Sequence, residues 1–144
     1  MYRILATNSL LLKMKLSKTD KCTFCKSQTE TLIHLFWECP LTKTFWNEVF
    51  QFMNDIGLPC VSEFNATDIL CGKEGENKVV NMISLNAKRY IYRTKMCSNI
   101  PYLNVFKKMI YFQYKVEQRI AFNTDKTEMF LNQWYVLRNA VENM

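Results

Sequence analysis

Apolar residues recur at helical spacing in four stretches of this chain. From Thr42 to Ile56, Phe45, Val49, Phe52 and Ile56 fall at i, i+4, i+7 and i+11, and Trp46, Phe50 and Met53 widen the stripe. This spacing predicts an amphipathic helix with a broad apolar face that must pack on something. Pro40 stands just before it, and Gly57 and Pro59 predict its end. A second helix is predicted from Lys78 to about Cys97, with Val79, Val80, Ile83, Ala87, Tyr90 and Ile91 turned inward. Pro101 opens a third, running to about Ala121. On a wheel of about 100° per residue its Lys108, Lys115 and Arg119 fall within about 20° of one line. Phe106, Met109, Val116 and Ile120 lie on a broad opposite flank. Phe130, Trp134, Leu137 and Val141 form the stripe of a last helix, for which Asp125 and Glu128 predict a capping box. Ser9–Leu16 is mostly apolar and predicts a strand or short helix. Gly57–Asn77 holds all three glycines and predicts a connector, with a short apolar element at Thr67–Cys71.

Composition supports a folded chain of one domain, or a small module with a helical body: 144 residues, 49% apolar and 14% aromatic. No apolar run approaches the roughly 20 residues that a membrane span needs. The N-terminal MYRILATNSLLLKMKLSK lacks a small-residue cleavage site, which argues against a secretory signal. The net charge of +6 is unevenly spread. Between Lys78 and Arg119 nine basic residues face one acid, Glu117, so this segment carries +8 and the remainder −2. Such a concentration suits a polyanionic partner, most often nucleic acid, or a solvated helix face.

The candidate chemistry lies in "CTFCKSQTETLIHLFWECP", Cys22 to Pro40, which holds three of the six cysteines and the only histidine. The spacing is Cys22-x2-Cys25-x8-His34-x4-Cys39. A CxxC turn aims two sulfurs at one point, and His34 and Cys39 are expected at the start and first turn of a helix. Three thiolates and one imidazole suit tetrahedral Zn²⁺, and a closed set of four leaves no position for a reactive water, so the metal is structural. The other cysteines, Cys60, Cys71 and Cys97, are scattered, which fits a reducing compartment better than a disulfide framework. Buried thiols beside a core histidine are the plainer alternative. Redox chemistry by the CxxC lacks a βαβ setting, and a Cys–His nucleophile would spend a histidine better used as a ligand. Phe24, Leu35, Phe36 and Trp37 offer the apolar cover that so small a module needs, with Phe24 also open to a stacking role.

"CTFCKSQTETLIHLFWECPLTKTFW", Cys22 to Trp46, resembles the zinc-binding C-terminal region of non-LTR (LINE-type) retrotransposon reverse transcriptases. The likeness rests on the Cys22/Cys25 pair, Glu30-Thr31, His34-Leu35-Phe36-Trp37, Cys39-Pro40 and Trp46. "NSLLLKMKLSKTDKC", "AKRYIYRTK" and "VEQRIAFNTDKTEMFLNQW" also resemble such tails. The resemblance implies Cys22, Cys25, His34 and Cys39 as ligands of a structural Zn²⁺. It further implies the reverse transcriptase core of a parent polyprotein as a partner, and template RNA or target DNA to be held. The polymerase chemistry does not carry over. No paired aspartates occur, and the thirteen acids show no two-metal spacing, so the chain alone is not expected to be an enzyme.

The expected fold is mainly α, a small CCHC zinc knuckle followed by a bundle of about four helices. Its expected organisation is a knuckle with its following helix over 1–57, a connector over 58–77 and a basic helical region over 78–144. The expected function is a zinc-stabilised module that holds RNA or DNA largely independently of sequence. Its phosphate contacts would come from Lys88, Arg89, Arg93, Lys95, Lys107, Lys108, Lys115 and Arg119. Tyr92, Tyr111 and Tyr114 are placed to stack on bases, while Tyr90 lies with the apolar side. The alternative is a structural module that docks on the polymerase core. The setting expected is intracellular, cytoplasm or nucleus, with no membrane partner.

Overall fold

The helices form where the apolar periodicity places them, and their ends are set by local backbone chemistry. The computed structural model describes residues 5–58, 64–72, 75 and 77–144; Pro59 and Cys60 lie outside the described residues. The elements are α1 (Asn8–Lys13), a π-helical turn (His34–Glu38), α2 (Pro40–Asp55), α3 (Ala66–Cys71), α4 (Lys78–Met96), α5 (Leu103–Asn123), α6 (Thr127–Trp134) and α7 (Arg138–Glu142). The architecture is mainly helical, as expected. Among the described residues there is no strand, only an isolated antiparallel bridge between Lys21 and Thr29. None of the described helices is long and apolar enough to cross a membrane.

Pro40 begins α2, where its missing N–H costs nothing. Gly57 ends it in the left-handed region at φ 78°, with Gly57 N–H on Asn54 O and Leu58 N–H on Met53 O. That pair of bonds satisfies carbonyls the helix end would otherwise leave open. The expected capping box at Asp125 does not form. Asp125 instead takes φ 54° as the residue that closes α5, and Lys126 N–H bonds back to Ala121 O. Aspartate tolerates the left-handed region better than most side chains, and one residue cannot both end α5 in it and cap the next helix in extended backbone. Lys126 is left as the cap of α6 without a side-chain bond. A turn then separates α6 from α7, although Phe130, Trp134, Leu137 and Val141 are all buried as one stripe.

The core is aromatic where three helices meet. Phe45 of α2 lies 5.4 Å from Tyr90 of α4 and 5.6 Å, edge to face, from Phe106 of α5. Such pairs add about 0.5–1.5 kcal/mol each beyond the area they bury. α6 and α7 cover the far part of α5, where Tyr114 meets Phe130 and Trp134, both at 5.2 Å. This packing turns α5 from the expected register. Its buried line is Phe106, Ile110, Tyr114 and Ala121, whereas Val116 and Ile120 are 40% and 56% exposed. Tyr114 is therefore core and not a stacking residue. Tyr90 is core as expected, its hydroxyl bonded to the backbone of Tyr102.

The N-terminal region is tied to α4 by a buried ion pair. Glu30 is fully buried, and Lys95 Nζ lies 3.2 Å from its carboxylate. The same carboxylate accepts from Asn8 N–H at 2.8 Å, Thr23 N–H at 2.7 Å and the Thr23 hydroxyl at 2.8 Å. Lys95→Met leaves that charge buried without its cation, so a loss of about 3–5 kcal/mol is expected. Urea denaturation against the parent chain measures it; a change below about 1 kcal/mol would contradict the role given to the pair.

Candidate metal centre and basic surface

The CxxC turn owes its shape to three backbone–backbone bonds and one from the backbone to a side chain. Cys22 N–H reaches Gln28 O at 2.8 Å, Lys26 N–H reaches Cys22 O at 2.9 Å, and Glu30 N–H reaches Asp20 O at 2.8 Å. Glu30 supplies the fourth through Thr23 N–H, inside the CxxC itself. Lys26, just after the second cysteine, sits at φ 58°, which lets the chain fold back over the sulfurs.

His34 and Cys39 are brought together by the π-helical turn. On an α-helix, residues five apart point about 140° away from each other. The bond from Cys39 N–H to His34 O, 2.8 Å, spans five residues and widens the turn so that both side chains serve one point. His34 thus opens a helical turn, as expected, while Cys39 lies just past its end and caps α2. The wide turn frees two carbonyls, one of which would need an N–H that Pro40 lacks. Both are recovered by α2: the Thr42 hydroxyl donates to Leu35 O at 2.9 Å, and Trp46 Nε1 donates to Phe36 O at 2.7 Å.

The four ligand atoms of Cys22, Cys25, His34 and Cys39 all lie within 4.8 Å of one another. Cys22 Sγ is 3.9 Å from Cys39 Sγ, and Cys25 Sγ is 3.4 Å from His34 Nε2. A tetrahedral zinc with bonds of roughly 2.3 Å to sulfur and 2.0–2.1 Å to nitrogen would set these edges near ~3.8 and ~3.6 Å. The donor set and spacing therefore fit such an ion, and the cluster could hold one.

The field at the cluster favours the thiolates of Cys39 and Cys25. The bond from Cys22 and the backbone N–H groups of Thr42 and Leu41, at the start of α2, hold the Cys39 thiol at about 5 against its burial. Burial pushes Cys25 up, but the Ser27 hydroxyl, the N–H groups of Gln28 and Ser27, and His34 outweigh it and hold the thiol at about 7. Cys22 is pushed well up by its hydrogen bond to Cys39 and by burial. A metal replaces that shared proton with positive charge. Phe24, Leu35, Phe36 and Trp46 are all buried around the site, so Phe24 is cover as well.

The basic residues do not form one surface. Lys95 is buried on Glu30. Lys88 is half-buried, donates to Leu70 O at 3.3 Å near the end of α3, and burial pulls its amine below the usual range. The Lys107 amine sits 4.7 Å over the Phe52 ring. Of the eight cations expected to contact phosphates, those exposed are Arg89 and Arg93 on α4 and Lys108, Lys115 and Arg119 on α5. Glu117, the only acid of the segment, spends both oxygens on Gln113 Nε2 at 2.9 Å and Trp134 Nε1 at 2.7 Å. Two residues not singled out in the sequence, Phe112 and Phe122, are 69% and 76% exposed beside these cations. The signal was the wheel itself, on which Phe112 falls within about 40° of Lys108 and Arg119, and Phe122 within about 20° of Lys115.

Residues 1–46, about a third of the chain, match the family described as zinc-binding in reverse transcriptase. Comparison with curated proteins and with solved structures gives no match. The matched segment contains all four clustered ligands and Glu30. Purified protein is expected to carry one zinc per chain by inductively coupled plasma mass spectrometry, and Cys39→Ser to lose it together with a cooperative thermal transition. Metal-free parent protein that melts at the same temperature with and without added zinc refutes a structural metal.

Proposed function

We propose that this chain is a zinc-stabilised nucleic-acid-binding module that works beside a reverse transcriptase core in an intracellular setting. In this reading residues 1–57 form the metal-dependent anchor, 58–77 connect, and 78–144 provide the surface that holds RNA or DNA. One observation carries it. Five exposed cations, Arg89, Arg93, Lys108, Lys115 and Arg119, lie on two packed helices whose only acid is engaged with Gln113 and Trp134. Positive charge left open in this way attracts phosphates and releases their counterions, largely regardless of sequence. Lys88, Lys95 and Lys107 hold the helices and lie outside this surface. Exposed aromatics among the cations suit unpaired bases.

A second reading, docking on the polymerase core, draws on a different face. Leu32 and Ile33 are exposed at a groove of about 470 Å³ that Leu10 and Leu70 also line. An apolar patch beside a metal centre suits a protein contact. Anisotropy titrations with a labelled RNA or single-stranded DNA across a salt series separate the two. Binding by five phosphate contacts predicts a log–log slope of about −3 to −4. Reversing Lys108, Lys115 and Arg119 to Glu should cut affinity about tenfold or more at low salt. A flat salt response, with the triple variant unchanged, favours docking instead.

A further inference from the structure

α4 and α5 meet at Tyr90 and Phe106, whose rings are 5.7 Å apart, and a groove lies between residues of the two helices. It encloses about 400 Å³, with Arg89 and Arg93 on the α4 wall and Met109, Phe112, Val116 and Glu117 on the α5 wall, the Glu117 carboxylate being engaged by Gln113 and Trp134. A second hollow of about 420 Å³ adjoins it at Arg93 and Met109, which line both. Phe112 is 69% exposed there, a large apolar ring kept in water beside two guanidinium groups. Neither arginine has an acidic partner among the described residues.

We propose that this groove takes an unpaired base of a single-stranded nucleic acid, stacked on Phe112, with the neighbouring phosphates held by Arg89 and Arg93. The proposal rests on the nucleic-acid reading above and adds strand and base selectivity to it. Guanidinium groups match phosphate oxygens in a planar fork, and an exposed aromatic ring offers a base face a partner that a duplex cannot use without unstacking. Each aromatic–base stack contributes enough to change affinity severalfold or more.

The groove also favours one kind of base edge. Asn86 Nδ2 is committed to Met82 O at 3.0 Å, and Gln113 Nε2 to Glu117 Oε1 at 2.9 Å. Both partners are pure acceptors, which fixes the amide orientations. The side-chain carbonyl oxygens of Asn86 and Gln113, two residues that line the groove, therefore have no protein donor among the described residues. An exocyclic amine, as on cytosine or adenine, supplies the matching donor, whereas thymine and uracil present a carbonyl at that position.

The test uses the full, zinc-loaded chain and fluorescein-labelled oligo(dC), oligo(dT) and a mixed-sequence duplex of equal length, titrated by anisotropy at mildly alkaline pH and low salt. Oligo(dC) is expected to bind severalfold tighter than oligo(dT). Phe112→Ala should weaken oligo(dC) about tenfold while leaving the duplex within about twofold, and Phe112→Trp should keep the parent affinity. The exposed ring makes both substitutions compatible with folding, which circular dichroism checks. An unchanged oligo(dC) affinity in Phe112→Ala overturns the stack, and equal affinity for oligo(dC) and oligo(dT) overturns the edge contact. Both results leave general binding by the basic surface standing. No binding of any probe by the parent chain removes that broader reading as well. If Phe112→Ala instead turns a dimer into a monomer in sedimentation, the groove is a face for a second copy and the proposal fails.

Discussion

The carboxylate of Glu30 holds together parts of the molecule that are far apart in sequence. It is buried, and a buried charge costs several kcal/mol unless donors surround it. Here the donors come from three places: Asn8 at the start of α1, Thr23 inside the CxxC turn and Lys95 near the end of α4. Removing any of them leaves the charge worse off, so the metal-ligating turn, α1 and α4 are ordered together. This makes the first 46 residues more than an appendage. Their fold is completed by a lysine about fifty residues beyond the segment that matches the zinc-binding family.

The π-helical turn provides the second link, and it runs toward α2. Its wide pitch is what lets a histidine and a cysteine five residues apart converge, and its cost is two carbonyls without helical partners. Thr42 and Trp46 take up both, and Trp46 is buried against Phe45, 6.2 Å away, at the aromatic junction of α2, α4 and α5. Ligand geometry is thus coupled by hydrogen bonds to the core of the helical body. Distortion of the metal site would be felt at the same ring that aligns α4 with α5.

Much of this was legible in the sequence because it is written in periodic signals. The apolar stripes located α2, α4, α5 and the Phe130–Val141 run, and cysteine spacing identified the four clustered ligands. What escaped were features decided by a partner that no local window contains. Lys95 reads as one more cation of a basic helix, since nothing near it shows that Glu30 awaits it across 65 positions. Tyr114 reads as an interleaved aromatic until α6 closes over it. Asp125 carries a capping signal, but the need of α5 for a left-handed terminal residue takes precedence. The five-residue His34–Cys39 spacing did contain its own answer. No α-helix aligns such a pair, so a widened turn could have been inferred.

The same sorting of local from long-range demands explains why the net charge overstates the number of cations left free. A +8 segment invites the view that every cation faces a polyanion. In the folded chain three lysines do other work: Lys95 neutralises Glu30, Lys88 meets a carbonyl at the end of α3, and Lys107 covers Phe52. These are uses that a long aliphatic stem with a single charged head serves well, since the stem packs while the head finds one partner. Both arginines of α4 stay exposed, and so does Arg119. Planar, multi-donor groups left open beside unburied aromatic rings are better matched to phosphate and base than to holding helices. The residues most informative about function are therefore those the fold leaves without a task.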